Sequence, residues 1–276
     1  MRFLLTASIF CLVLTWLSGQ QDVLTVMSYN LRYDEPRDSA DNWHQRKAEL
    51  VQQVKACHPD ILGIQEGLLR QLTYIDSSLV NHVYVGAGRD DGKSSGEFSA
   101  LFYDTLRLMA LEHGTFWLSP TPEKPSKGWD AALPRVCTFA LLMDKRSGKK
   151  FWAFNTHFDH LGKEARKNSA SLITNMIRIK NRKNFPVILM GDLNCTPEEA
   201  PAILLRKELR DTWQFTRDKD DSQGTFNGFG RDTSGRRIDY IFVRKLKVKS
   251  YSRPDTRRSI GRFISDHFPV MATLKI

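Results

Sequence analysis

The chain has 276 residues, 41% of them apolar, four cysteines and a formal net charge of +10. A chain of this length buries enough surface to fold without cross-links, and its cysteines, with no C-x-x-C pair and an odd three beyond Cys11, make no disulfide framework. The basic excess suits a polyanionic or phosphorylated substrate, although solubility alone is its commoner cause.

At the N-terminus, Met1-Arg2, the apolar stretch Phe3 to Leu17 and the small-residue exit Leu17-Ser18-Gly19-Gln20 read as a signal peptide cleaved near Gly19 or Gln20. The run is shorter than the roughly 20 residues a membrane span needs, and no other stretch is long and apolar enough. We therefore expect a secreted or periplasmic protein with no stable membrane anchor. Residues 1–20 form the leader, and residues 21–276, undivided by any repeat or linker, form one domain of a monomer.

Leu24 to Leu31 alternates as a strand, and residues 42–57 follow with Leu50, Val51, Val54 and Cys57 at helical spacing. Ile61 to Glu66 is a buried strand, with a helix near 68–79 behind it. Ser99 to Tyr103, Val136 to Met143 and Lys150 to Thr156 are further strands, the last two a hairpin turning at Lys145-Arg146-Ser147-Gly148. The Pro-rich segment 113–134, with Phe116, Trp117 and Trp129, has no periodicity and reads as a rim or lid. A long helix spans 163–182, with Ala165, Leu172, Ile173, Met176 and Ile177 inward. A strand at 186–191, a short helix near 198–206, a strand at 237–243 and a terminal strand complete the pattern. Strand-helix-strand units at both ends with hairpins between them predict an α/β layered sandwich.

Chemistry collects where these strands run out: Asn30, Glu66, His157, Asp192, Asn194, Asp239, Asp266 and His267. Singly, each has a plainer role as a cap or ion-pair partner. Together they suggest metal-assisted attack of water on a phosphate ester, because hard oxygen ligands suit Mg²⁺ and an Asp or a neutral His orients water. Arg32, Arg46 and Arg135 are candidate phosphate clamps, with structural ion pairs as the alternative. A zinc reading of His157, Asp159 and His160 is disfavoured, since no cysteine lies near. The four arginines between Arg253 and Arg262 read as a solvated loop before a basic rim.

Ser28-Tyr29-Asn30, Gln65-Glu66, Asn155-Thr156-His157, Gly191-Asp192-Leu193-Asn194, Ile238-Asp239-Tyr240 and Ser265-Asp266-His267 occur in an order that resembles the endonuclease/exonuclease/phosphatase superfamily. That superfamily includes pancreatic deoxyribonuclease, abasic-site endonucleases, inositol polyphosphate phosphatases, deadenylases and bacterial sphingomyelinases. Asn30 to Asp34, Trp43 with Arg46, and Gly96-Glu97-Phe98 look like secreted bacterial members of unsettled substrate. Thr225-Phe226-Asn227-Gly228-Phe229 resembles an aromatic substrate loop of the family. The resemblance implies a deoxyribonuclease I-like, four-layer αββα sandwich of two packed mixed β-sheets flanked by helices.

It also implies roles. Glu66, with Asn30 nearby, would hold Mg²⁺ or Mn²⁺, and Asp266 would complete the acidic cluster. Asp192 would orient or deprotonate the attacking water, and Asn194 would hydrogen-bond the transition state. His267, oriented by Asp239, would contact the phosphate, and His157 would assist near the leaving group. The expected activity is a divalent-metal-dependent phosphodiesterase or phosphatase. A nuclease acting on extracellular DNA or RNA would need a broad basic groove, and a phospholipase or sphingomyelinase-like enzyme would need exposed apolar loops. A non-catalytic binding module would have lost Asp192, Glu66 or His267, and all three are present.

Overall fold

In the computed structural model, which describes residues 23–215, 224–254 and 257–276, the central strands divide alternate side chains between two cores. The strands are β1 (Val23–Asn30), β2 (Ile61–Gln65), β3 (His82–Val85), β4 (Leu101–Asp104), β5 (Leu108–Trp117) and β6 (Val136–Asp144). They continue with β7 (Lys150–His157), β8 (Val187–Asp192), β9 (Arg210–Asp211), β10 (Asp239–Arg244), β11 (Lys247–Ser252) and β12 (Val270–Lys275). The helices are α1 (Trp43–Cys57), α2 (Leu69–Ser78), α3 (Lys163–Lys180) and α4 (Ala200–Arg206).

One sheet has the order β11-β12-β1-β2-β4-β3, the other β5-β6-β7-β8-β10-β9. Each is mixed, because β1 runs parallel to β2 and β7 parallel to β8 while their other neighbours are antiparallel. A parallel pair needs a crossover, and α1 and α3 supply the two. Leu24 and Val26 of β1, Ala153 of β7, Met190 of β8 and Ile241 of β10 fill the gap between the sheets. Their neighbours point outward: Met27 and Tyr29 pack with Leu50, Val54 and Leu72 of α1 and α2, and Trp152, Phe154 and Leu189 pack with Ala170, Ile173 and Leu205 of α3 and α4. Strands buried on both faces read as unbroken apolar runs, as Val187-Ile188-Leu189-Met190 does. The result is the four-layer αββα sandwich.

The expected elements appear with ends shifted by a few residues, and four strands depart from the reading, among them the two-residue β9, which was not anticipated. In segment 113–134, residues 113–117 belong to β5, where a register shift between Ala110 and Glu112 interrupts the alternation. Trp117 is accordingly buried, its Nε1 donating to Arg89 O at 2.7 Å. β3 and β11 went unanticipated: the first is four residues long, and the second is bulged between Val248 and Ser250 and largely exposed. Cys57, Cys137 and Cys195 are free thiols. Among the described residues no helix is long and apolar enough to cross a membrane.

Candidate active site

At one end of the sandwich the face between the sheets turns from apolar to polar without breaking its two-residue period. Ile188 and Met190 lead to Asp192, Ala153 leads to Asn155 and His157, and Ile241 leads back to Asp239. His157 and Asp239 are the register partners of Asp192 on its two sides, so the three stand in one row. Facing them, Asn30 and Gln65 end β1 and β2 as partners of each other. Gly191 makes the row possible: its φ is +146°, and a Cβ there would lie 2.0 Å from Thr156 O on β7.

Beneath the row lies a buried polar floor. Asn155 Nδ2 donates across the gap to Ile64 O at 2.7 Å and Ala100 O at 2.8 Å, while its Oδ1 accepts from Gln65 Nε2 at 2.7 Å. Gln65 Nε2 also reaches Ser28 Oγ at 3.2 Å. Gly63 leaves the room this crossing needs, since a Cβ there would meet Asn155 Oδ1 at 2.8 Å.

Asn30 joins the two halves of the site. Its Nδ2 donates to Glu66 Oε1 and to Asp192 Oδ2, both at 3.0 Å. Glu66, one residue beyond β2, has left-handed backbone (φ +61°), as have Arg32 (φ +57°) and Asn194 (φ +47°). Three strained residues around one cleft mark a site whose side-chain directions are set by its surroundings. Tyr33 N donates to Glu66 Oε2 at 3.0 Å, and Asn194 N donates to Asp192 Oδ1 at 2.8 Å.

Ser265-Asp266-His267 lies in the loop before β12, tied down by Ser265 Oγ donating to Asn30 O at 2.7 Å. The segment anticipated as an aromatic substrate loop braces that motif. Asn227 N donates to Asp266 O at 2.8 Å, Phe226 sets its ring edge-on to His267, and Thr225 Oγ1 accepts from Ile238 N and Asp239 N. His267 Nδ1 lies 2.9 Å from Asp239 Oδ2, and its Nε2 lies 3.8 Å from Asp192 Oδ2.

Burial works against every charge here, and the neighbours decide the outcome. Burial and the Asp239 carboxylate push Asp192 up to about 7, although His267 and two hydrogen bonds pull the other way. Burial alone would lower His267, but Asp239 and Asp192 raise it to about 10, so it is an imidazolium at neutral pH. Burial also raises Asp266. Glu66 stays below its ordinary value because His267, Asn30 and the Tyr33 amide outweigh its burial. His157 is held neutral: burial and then Arg135 and Arg89 depress it well below its usual range. Its geometry agrees at one nitrogen, for Arg135 Nη1, which can only donate, lies 3.1 Å from Nδ1, and this leaves the proton on Nε2, 3.4 Å from Asp192 Oδ2.

The three arginines fare differently from one another. Arg32 sits at the rim, forked onto Asp38 at 2.8 and 2.9 Å and 3.9 Å from Asp266. Arg46 is fully buried, and its guanidinium donates to the carbonyls of Leu31, Arg32, Asp41 and Ile264, so it shapes the loop after β1 and has no free face for a phosphate. Arg135 is also buried, bonded to Asp159, His157 and His160, and acts on the site through His157. Asp159 is spent on the amides of Ala132, Leu133, Leu161 and Gly162, which removes it as a zinc ligand. In the arginine run, Arg258 and Arg262 anchor to Ala40 O, Gln45 O and Asp41 instead of lining a rim, while residues 255–256 lie outside the described residues. Sequence reasoning missed Arg89 and the role of Glu97. Glu97 Oε2 lies 4.0 Å from His157 Nδ1 and pairs with Arg89 at 2.7 Å, and burial and Glu66 raise it to about 7.

The sequence profile of the Endonuclease/Exonuclease/phosphatase family matches residues 27–267, from β1 to His267. The chain belongs to this family. A mannosyl-6-phosphatase of Bacteroides thetaiotaomicron VPI-5482 is 42% identical over 92% of this chain and all of that one, with a TM-score of 0.87. An endonuclease/exonuclease/phosphatase family protein of the same species is 41% identical over 91% and 97% of the two chains, with a TM-score of 0.86. An uncharacterised protein of Acanthamoeba polyphaga mimivirus is 27% identical over 84% of this chain and 92% of its own length.

Members of this family are divalent-metal dependent, and the residues fit a hard cation. Asp192, Asp239 and His267 form the one His/Cys/Asp/Glu group among the described residues with ligand atoms within 4.8 Å of one another, a set the sequence reading assigns to water and phosphate. Asp239 Oδ1 is buried and bonds nothing. Asp192, Asp239 and Asp266 are buried beside Glu66, and the positive groups near them are already engaged: His267 with Asp239, Arg32 with Asp38, and Arg46 with backbone carbonyls. Uncompensated buried carboxylates of this kind call for a cation.

Proposed function

We propose that this chain is a secreted, divalent-metal-dependent phosphoesterase that hydrolyses the phosphomonoester of a sugar by in-line attack of water. The observation that carries the reading is the 42% identity, over the whole of its length, to a mannosyl-6-phosphatase. The withdrawal of Arg46 and Arg135 into the protein supports a small substrate over a polynucleotide backbone. The leader-like Met1 to Gln20 supports export.

In this mechanism Glu66, Asn30 and Asp266 would hold Mg²⁺ or Mn²⁺, and the unpartnered Oδ1 of Asp239 is a further oxygen donor in the site. The cation supplies Lewis-acid withdrawal of charge from the phosphoryl oxygens. Asp192, poised near neutrality and fixed by the Asn30 amide and the Asn194 N–H, takes the proton of the attacking water. The His267 imidazolium, aimed by Asp239, and the side-chain amide of Asn194 face the charge that develops on the phosphoryl group. His157, neutral and backed by Arg135, sits at the leaving-group side.

The test is hydrolysis of mannose 6-phosphate, glucose 6-phosphate, nucleotides, single-stranded DNA, sphingomyelin and bis(p-nitrophenyl) phosphate at fixed metal and salt, before and after chelation. Hexose 6-phosphates are expected to turn over fastest, with activity lost on chelation and regained with Mg²⁺ or Mn²⁺. A preference for any diester or polynucleotide would overturn the sugar phosphatase reading, and activity that survives chelation would overturn metal dependence.

A further inference from the structure

Among the described residues Trp129 is the one exposed tryptophan, 39% accessible, and its backbone is left-handed at φ +51°. A bulky side chain is disfavoured in that region unless its surroundings impose it. They do so on both sides. Gly128 passes so close to Leu118 O that a Cβ would lie 2.2 Å from it, and Ala131 N closes a turn onto Gly128 O at 2.9 Å. Asp130 then caps the start of α3, accepting from Ala165 N at 2.6 Å and Glu164 N at 3.3 Å. The indole belongs to none of the three apolar cores and makes no hydrogen bond or ring pair among the described residues. A rigid, strained turn thus spends energy on holding an indole out in water.

The turn is continuous with the catalytic row. Asp159 gathers the amides of Ala132, Leu133, Leu161 and Gly162 together with Arg135 Nε, and Arg135 reaches His157 and His160. Leu133 and Leu161, both exposed, donate their backbone amides to that carboxylate, and Trp129 stands three residues before Ala132 in the same turn.

We propose that Trp129 is the specificity platform for the part of the substrate beyond the phosphate, stacking on the C–H face of a pyranose ring. This rests on the sugar phosphatase reading and names the residue that gives it selectivity. An indole offers a large flat apolar face at little entropic cost and keeps an N–H at its edge for a hydroxyl.

The experiment compares mannose 6-phosphate, AMP and the ringless glycerol 3-phosphate in wild type, Trp129→Ala and Trp129→Phe, each with saturating Mg²⁺. Trp129→Ala is expected to raise KM for mannose 6-phosphate about tenfold with kcat nearly unchanged, to leave glycerol 3-phosphate unaffected, and to be largely rescued by Trp129→Phe. Thermal melting confirms that each variant is folded. Unchanged hexose selectivity in a folded Trp129→Ala overturns the platform while leaving the phosphatase reading intact. A selective loss on AMP assigns Trp129 to a base and overturns the platform as well. If wild type turns over no hexose phosphate, the platform and the reading fall together.

Discussion

Asp192 shows how one side chain acquires a function from position alone. It continues the apolar series Ile188, Met190 on β8 and is buried to 1% exposure, yet it is a carboxylate flanked in register by His157 and Asp239. Burial and Asp239 raise it to about 7, which suits a base working near neutral pH. Asp192→Asn keeps the acceptor for Asn194 N and the volume but cannot take a proton. We expect kcat on the best phosphate ester to fall about 10³-fold, with little change in melting temperature. A variant that retained more than a tenth of the wild-type rate would remove Asp192 from the role of base.

The loops around the site depend on a few carboxylates that bind backbone instead of substrate. Asp159 joins the turn at 131–133 to the entry of α3, and although burial opposes its charge, the amides of Gly162, Ala132 and Leu161 and then Arg135 hold it below the usual carboxylate range. Its stabilising effect is therefore complete above the unfolded value of about 3.9 and is lost as pH falls through the lower folded value. Asp159→Asn should cost about 3 kcal/mol at pH 7, and the gap to wild type should close on acidification below about pH 4. A gap of constant size in melting curves from pH 7 to pH 2.5 would refute this. Such interactions also mark where sequence reading ends. β7, β8 and β10 were legible because burial on both faces writes an apolar run, β1 by its alternation, and the polar residue at the site end of each was legible by contrast. Bulges hid β5 and β11 by breaking the period. Arg46 and Arg135 stayed open between phosphate clamp and structural partner because a guanidinium bonded to distant carbonyls and imidazoles leaves no local pattern, and Glu97 lay in a Gly- and Ser-rich loop with no period at all.

The site is divided between the two sheets, and that division ties activity to how the sheets sit on each other. The first sheet and its loops supply Asn30, Glu66, Asp266 and His267, and the second supplies His157, Asp192, Asn194 and Asp239. Asn30 and Asp192 bond across the seam at 3.0 Å, and Asn155 bolts the seam from below through Ile64 O, Ala100 O and Gln65. Asn155→Ala removes three hydrogen bonds inside the gap and should cost about 3 kcal/mol. Val54→Ala deletes buried apolar atoms on the outer face of the first sheet, far from the seam, and should cost about 2–3 kcal/mol. Two variants of matched stability then separate folding from alignment. Assayed well below both melting temperatures, Val54→Ala should keep the wild-type kcat while Asn155→Ala loses about tenfold or more, because a shift of even 1 Å between the halves misplaces Asp192 against Glu66. Equal kcat in the two variants would show that the seam bond at Asn30 aligns the halves without the bolt beneath it.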